Sequence, residues 1–437
     1  MKNPAENVLV ITYYWPPAGG AGVQRILKFV KYLPSFGITP FVLSVDAAMA
    51  SYAVFDPSLG NEVPSSVQVR RTPTREPFSF YRSLLRKKTI PSAGFAGEDR
   101  PGVLQRAARF IRGNMFIPDA RVGWNRFAME KAKEIISQNN IRTVIISTPP
   151  HSSQLIGLEL KKQVPGIRWI ADLRDPWTDI YYYKEFYHLP FARKKDAKME
   201  QNVLENADEI LTVSPSLARL LRAKVQPDIS PKLHIIPNGF DEDDFMIPSS
   251  PPPDKLIITY TGTLAASYKP QIFAEALGEI IQRNPEIPFL MRFVGSVSRE
   301  VLSLFEKHLP AKSIEVLTHL PHAGSIRCLM NSTVLLLVIP HVENAEGILT
   351  GKLFEYLASR KPIVCIGPTG GDASSVIKEC EAGKTFDRDM KEELFSHLQQ
   401  MADEWKKSPV LDLDSNNYRK YSRSMLTRSL AEIIKRK

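Results

Sequence analysis

The chain has 437 residues, of which 43% are hydrophobic and 24% charged, and a formal net charge of +10. It is too long for one ordinary domain, so two cores of roughly 150–250 residues each are expected. No run of about 18 apolar residues is present to span a bilayer, and MKNPAENVLVITYYWPP lacks the basic-then-apolar layout of a secretory signal.

The charge is concentrated. Between Arg70 and Arg126, thirteen Arg or Lys face only four acids, Glu76, Glu98, Asp99 and Asp119. A local patch of this kind points to an anionic partner surface. Three cysteines without CxxC spacing, Cys328, Cys365 and Cys380, fit reduced thiols of a cytoplasmic protein, with Cys365 in a core strand.

In chain order, VLVIT (8–12) reads as a buried strand. A glycine-rich loop follows, then an amphipathic helix from Val23 to Ser35 and the strand PFVLSV (40–45). That is a β-α-β unit with glycines at its first crossover. From about 50 to 125 periodicity fades while Pro, Ser, Arg and Phe accumulate, which reads as a basic insertion. A helix near 124–138, TVIIS (143–147), a helix after Pro150 and WIAD (169–172) come next. A charged helix (191–205), EILTVS (209–214), a further helix and LHIIP (233–237) complete the first half.

PSSPPPD (248–254) is the clearest linker, because its prolines forbid regular structure. A second alternating series follows, with strands LIITYT, FLMRFVG, IEVL, VLLLVIP and PIVCIG and helices between and after them. Strands alternating with helices are the pattern of parallel sheets covered on both faces. The expected domains are 1–247, with the insertion at about 50–125, and 255–415. A basic, Tyr-rich last helix, 416–437, is expected to pack back on the first domain. Two such halves joined by a proline hinge are expected to face a central cleft, where a ligand lies.

The stretch 334–367 carries the most chemistry. An apolar strand ends at Pro340, a polar loop follows, and a helix opens near Thr350-Gly351-Lys352. First-turn amides at the carboxyl end of a parallel strand favour a phosphate. Glu355, one turn in, is placed to accept hydrogen bonds from two ribose hydroxyls; it would equally favour the helix dipole.

The run Gly351-Lys352-Leu353-Phe354-Glu355-Tyr356-Leu357, then Arg360-Lys361-Pro362-Ile363-Val364, resembles the donor-site helix of family-4 retaining glycosyltransferases of the GT-B fold. The resemblance extends along nearly the whole chain. Ser147-Thr148-Pro149-Pro150 and Asp172-Leu173-Arg174-Asp175-Pro176-Trp177 mark one branch of that family, and Pro237-Asn238-Gly239-Phe240-Asp241 matches its loop closing the first half. It implies two Rossmann-like, doubly wound domains, a nucleotide-diphosphate sugar held by the second, and a glycan or lipid-linked acceptor approaching from the first. It also implies transfer with retention, in surface polysaccharide synthesis.

Residue by residue, the resemblance implies a ribose contact at Glu355 and donor contacts through Thr350, Gly351, Lys352 and Leu353. Gly347 stands where the family carries its sugar-contacting glutamate, leaving either Glu346 or the amides of 347–350 for that role. The loop Tyr14 to Arg25, with Gly20 and Gly22, is expected near the donor phosphates and the acceptor. Arg174-Asp175 replaces the family's His-Asp pair near the transferred sugar, so Arg174, Asp175 and Glu346 are the expected catalytic residues. Gly262 and Thr263 end the first strand of the second half. Thr263 replaces a phosphate-binding arginine, and Lys269 matches a downstream lysine. Arg25, Arg174 or Lys352 could supply the missing charge. Gly295 and Leu320 are expected to border the base.

No cofactor and no metal is expected. Asp241-Glu242-Asp243-Asp244 reads as a solvated turn, and the histidines lack ligand spacing. The basic segment containing Arg82, Arg86, Lys87 and Lys88 interleaves cations with large apolar groups. That suits an anionic membrane surface at the inner face of the membrane, while no motif supports nucleic acid. Competing readings remain: a dinucleotide enzyme using the first glycine loop and Asp46, a non-catalytic nucleotide-sugar-binding protein, or a GT-B-fold sugar-nucleotide epimerase.

Overall fold

The computed structural model describes residues 6–76, 102–247, 254–318 and 320–436. The chain divides into two compact units, residues 1–237 with 423–437 and residues 238–422.

The first unit runs β1 (Glu6–Thr12), α1 (Ala21–Tyr32), β2 (Ile38–Val45), β3 (Gln68–Thr72), α2 (Val103–Met115), α3 (Asn125–Gln138), β4 (Thr143–Thr148) and α4 (Gln154–Gln163). It continues with β5 (Arg168–Leu173), α5 (Pro190–Asn206), β6 (Glu209–Thr212), α6 (Pro215–Arg222) and β7 (Leu233–Ile235). Its strands lie in the order β3-β2-β1-β4-β5-β6-β7, all parallel. Every residue of β4 is buried, because helices cover both faces of the sheet. Gly157 on α4 lets the helix meet the sheet closely: a Cβ there would sit 2.1 Å from the Trp169 ring.

The second unit runs β8 (Leu256–Thr261), α7 (Gln271–Arg283), β9 (Phe289–Val294), α8 (Arg299–His308), β10 (Ile314–Leu317), α9 (His322–Met330), β11 (Val334–Val338) and α10 (Gly351–Ser359). Then come β12 (Ile363–Ile366), α11 (Asp372–Glu379), β13 (Gly383–Phe386) and α12 (Lys391–Lys407). The order β10-β9-β8-β11-β12-β13 is again fully parallel. Strands β8 and β11 are buried at every residue, and Cys365 packs in the core as expected.

Both sheets reverse their strand order at the first and fourth strands, β1/β4 and β8/β11. Ligands of doubly wound sheets bind beyond the carboxyl ends of the strands at such points. Two edge strands have no counterpart among the predicted elements. In β3, QVRRT, only Thr72 is buried, and in β13, GKTF, only Phe386 is; neither carries an apolar run.

The last helix begins at Arg423 and is labelled α13 (Arg423–Lys435). It packs on α1 and adds Leu430, Ile433 and Ile434 to the first unit's core. Arg168 ties it down through Nη1 to the Ile434 carbonyl at 2.8 Å. The unit boundary falls at Pro237/Asn238, ahead of the expected end at 247. Its cause is Phe240, whose amide donates to the Tyr421 carbonyl at 3.1 Å. The Phe240 ring packs beside Phe245 and Tyr418. Most of the proline linker, 248–253, lies outside the described residues.

Candidate functional site

In the second unit, α10 starts beyond β11 and its first turn meets the loop that ends β8. Ser298 caps α8 by accepting from the Val301 amide at 3.4 Å, but Thr350 makes no such bond at the start of α10. The Thr350 Oγ1 atom is buried and unpartnered. The Leu353 amide closes onto the Thr350 carbonyl at 3.2 Å. The preceding amides of Gly351 and Lys352 have no intrahelical acceptor, and around Gly351 there is open space. An uncapped helix start of this kind has the polarity that suits an anion.

Lys352 is half-buried over this turn. Its Nζ donates to the Tyr260 hydroxyl at 2.7 Å and sits 4.2 Å from that ring's centre. The Tyr260 hydroxyl donates in turn to the Thr263 carbonyl at 2.7 Å. Burial drives the Lys352 ammonium down to about 7, with the Glu355 charge pulling the other way. Gly262 has φ +90°, and a Cβ there would approach Nζ to 3.3 Å. Gly295, at φ +123°, would place a Cβ 2.6 Å from the Gly262 carbonyl. Two turns thus stack tightly beside the lysine, and neither tolerates a side chain.

Glu355 lies one turn on and half-buried; its Oε1 is 3.1 Å from His322 Nε2, at the start of α9. Tyr356, beneath it, accepts from the Thr261 amide at 2.9 Å, which locks α10 to the end of β8. Leu353 is wholly buried in the core, so its side chain supports the helix and is not available to a ligand. Leu320 is exposed just ahead of α9.

Glu346 and Lys269 both lie near His341 in this unit. Glu346, on a 3-10 turn (Ala345–Gly347), is exposed and lines a cavity of about 780 Å³ with His341, Asn344, Pro368, Asp387 and Arg388. Gly347 ends that turn, its amide bonded to the Asn344 carbonyl. Lys269, exposed at φ 47°, acts on His341: its charge, then that of Arg388, lowers the imidazole pKa.

In the first unit, Arg25 is fully buried. It pairs with Asp172 at 2.9 Å, and its Nη1 donates to the carbonyls of Ile236 and Pro237 at 2.8 Å each. Asp172 also accepts from Ser147 Oγ at 2.7 Å. Arg25 is therefore consumed by the fold and is excluded as a phosphate contact. Arg174 does not pair with Asp172. Its Nε donates to the Thr148 carbonyl at 2.6 Å and its Nη1 to the Gly22 carbonyl at 2.8 Å, while Nη2 is buried without a partner. Gly20, at φ 86°, starts α1 without a side-chain cap. Burial raises the Asp175 pKa, opposed by Arg174.

Sequence reasoning passed over His151, which follows β4. Its ring stacks on Trp177 at 5.0 Å and 13°, and the Trp177 Nε1 donates to Asp196 at 2.7 Å. Burial holds the imidazole well below its usual pKa, and its Nδ1 is unpartnered. A polar residue two prolines beyond an apolar strand was the available signal. Arg82, Arg86, Lys87 and Lys88 lie outside the described residues. Among the described residues, no three His, Cys, Asp or Glu gather as metal ligands, and no helix is long and apolar enough to cross a membrane.

Residues 92–244 match the sequence pattern of Glycosyltransferase Family 4. No curated protein matches the chain. Among solved structures, Anabaena Alr3699/HepE in complex with UDP-glucose is similar at a TM-score of 0.60, with 11% identity over 98% of this chain and 99% of that one. A glycosyltransferase from Rickettsia africae ESF-5 is similar at 0.57, with 16% identity over 98% of each chain. WaaG, a glycosyltransferase involved in lipopolysaccharide biosynthesis, is similar at 0.57, with 13% identity over 98% and 99%. The chain therefore has the GT-B fold and, over residues 92–244, a Glycosyltransferase Family 4 segment.

Proposed function

We propose that the chain is a metal-independent, retaining glycosyltransferase acting on a nucleotide-diphosphate sugar and a glycan or lipid-linked acceptor in surface polysaccharide synthesis. One observation carries the reading. At the second sheet's switch point, an uncapped helix start, a lysine and a carboxylate occur in the sequence a diphosphate and a ribose require. The amides of Gly351 and Lys352 take the diphosphate, the Lys352 ammonium supplies the charge absent at Thr263, and Glu355 leaves His322 to bind the ribose. The similarity to a fold that holds UDP-glucose in Alr3699/HepE supports the assignment.

Among the proposed catalytic residues, Arg174 and Asp175 act on the sugar and its acceptor, and Glu346 is the carboxylate offered from the second unit. Attack then occurs on the face of the leaving group. The acceptor hydroxyl bonds to the anomeric carbon, the bond from that carbon to the diphosphate oxygen breaks, and the hydroxyl proton passes to the departing phosphate. Cationic groups stabilise the charge that develops there.

Glu355→Ala tests the donor site. Losing charge-assisted bonds to ribose weakens UDP binding about 10–100-fold in calorimetry, with the melting temperature kept. An unchanged affinity removes the assignment. The proposed peripheral membrane contact is supported by Phe110, Ile111 and Met115 on α2 and by Leu189 and Phe191, which are exposed although large and apolar. Reversing the charges of Arg82, Arg86, Lys87 and Lys88 abolishes co-sedimentation with anionic vesicles at low salt. A wild-type protein that never co-sediments ends this idea.

A further inference from the structure

Strand β4 flanks the first sheet's switch point, and the turn beyond its carboxyl end is held by several neighbouring segments. The Ser152 amide and hydroxyl both donate to Asp119 at 2.8 Å. Asn125 Nδ2, at the start of α3, donates to the Ser152 carbonyl at 2.6 Å. At the strand end itself, Arg174 Nε donates to the Thr148 carbonyl at 2.6 Å. The His151 ring lies nearly parallel to Trp177, with centres 5.0 Å apart. Asp196, only 1% exposed, holds Trp177 Nε1 with one carboxylate oxygen and the Tyr183 hydroxyl with the other, at 2.7 and 2.8 Å. Backbone and ring of His151 are therefore both fixed, as a recognition group must be.

The fold nevertheless uses neither nitrogen of that ring. Nδ1 is buried without a partner, and no hydrogen bond reaches Nε2 among the described residues. The residue is partly exposed, which leaves Nε2 as the nitrogen a ligand can meet. Ser153 Oγ on the same turn is also buried without a partner, as are Asn125 Oδ1 and Arg174 Nη2 on two of the side chains that hold it. Buried polar atoms are rarely left unmet, so their gathering at one strand end marks a place for water or a polar ligand. Burial keeps the imidazole neutral. A neutral ring donates through one nitrogen and accepts through the other, and it offers no charge to an anion. A hydroxyl group is its natural partner.

We propose that His151 is an acceptor-recognition residue, its Nε2 hydrogen-bonded to a sugar hydroxyl of the acceptor at the carboxyl end of β4. The inference rests on the glycosyltransfer reading and narrows its acceptor to one that presents an uncharged saccharide to the first unit.

The test titrates the whole protein with the methyl glycosides of glucose, galactose, mannose and N-acetylglucosamine, followed by NMR, with and without saturating UDP. At least one glycoside is expected to bind and to shift the His151 ring-proton resonance. Two variants separate recognition from packing. His151→Phe keeps a flat ring on Trp177 and loses the nitrogen, whereas His151→Gln keeps a hydrogen-bonding group and loses the ring. His151→Phe is expected to weaken the glycoside about tenfold at an unchanged melting temperature, and His151→Gln to weaken it less. UDP affinity stays the same in both.

A packing role alone gives the reverse order, with Phe tolerated better than Gln, and overturns the proposal. So does a wild type that binds none of the glycosides, or one whose His151 resonance stays unmoved on binding, a readout that needs no variant. Methyl glucuronide binding more tightly than every neutral glycoside would give the turn to charge recognition by Arg174 and would also overturn it. Failure of the wild type to bind UDP would instead strike the donor assignment, and the glycoside titration without UDP would still decide this one.

Discussion

The two switch points hold positive charge in opposite ways. At β1/β4 the cation on the first helix, Arg25, is locked by Asp172 and two backbone carbonyls. Its charge is permanent and structural. At β8/β11 the cation is Lys352, whose bonded partner is a neutral phenol, Tyr260. A phenol accepts the hydrogen bond but offers no compensating charge, so burial brings the ammonium near its titration point. The same architecture thus builds a brace in one unit and a titratable charge in the other. What separates them is the counter-group, carboxylate against hydroxyl.

The largest expected effect comes from breaking the brace. Asp172→Ala leaves a buried guanidinium without its carboxylate and is expected to lower stability by about 3–5 kcal/mol, read by denaturant unfolding. A loss below about 1 kcal/mol would mean that the carbonyls of Ile236 and Pro237 suffice.

A smaller effect sharpens the other side. If Lys352 meets the diphosphate as proposed, binding favours its protonated form and the complex holds more protons than the free protein above pH 7. Affinity for a nucleotide sugar, whose esterified diphosphate does not titrate in this range, should therefore fall as pH rises above about 7. The slope approaches about tenfold per unit until the complex itself titrates. Lys352→Met should bind more weakly at pH 6 and show a flat profile from pH 6 to 9. A wild-type profile that is equally flat would place the lysine outside the diphosphate's reach.

Much of this fold was legible from local pattern. Strands covered on both faces must be apolar throughout, so VLVIT, TVIIS, LIITYT and VLLLV declared themselves, and their alternation with helices announced parallel sheets. The edge strands β3 and β13 did not, because an edge needs only one or two buried residues. On the site, the glycine turns at 262 and 295 and the helix start at 351 were visible, since turns and helix ends are written in neighbouring residues. The roles assigned within them were only partly visible. Leu353 belongs to the core, and Glu346 lines a cavity with Arg388 and His341.

The sequence alone determined the periodicities, the loops that break them and the residues that could carry charge, because each of these depends on contacts a few positions apart. Only the tertiary structure decided which charges remain available. Asp172 takes Arg25 from 147 positions away, Tyr260 meets Lys352 from 92, and His322 meets Glu355 from 33. Burial and pairing at such separations set whether a cation braces the fold or is left to meet a ligand, and strand order, not local pattern, brings those partners together.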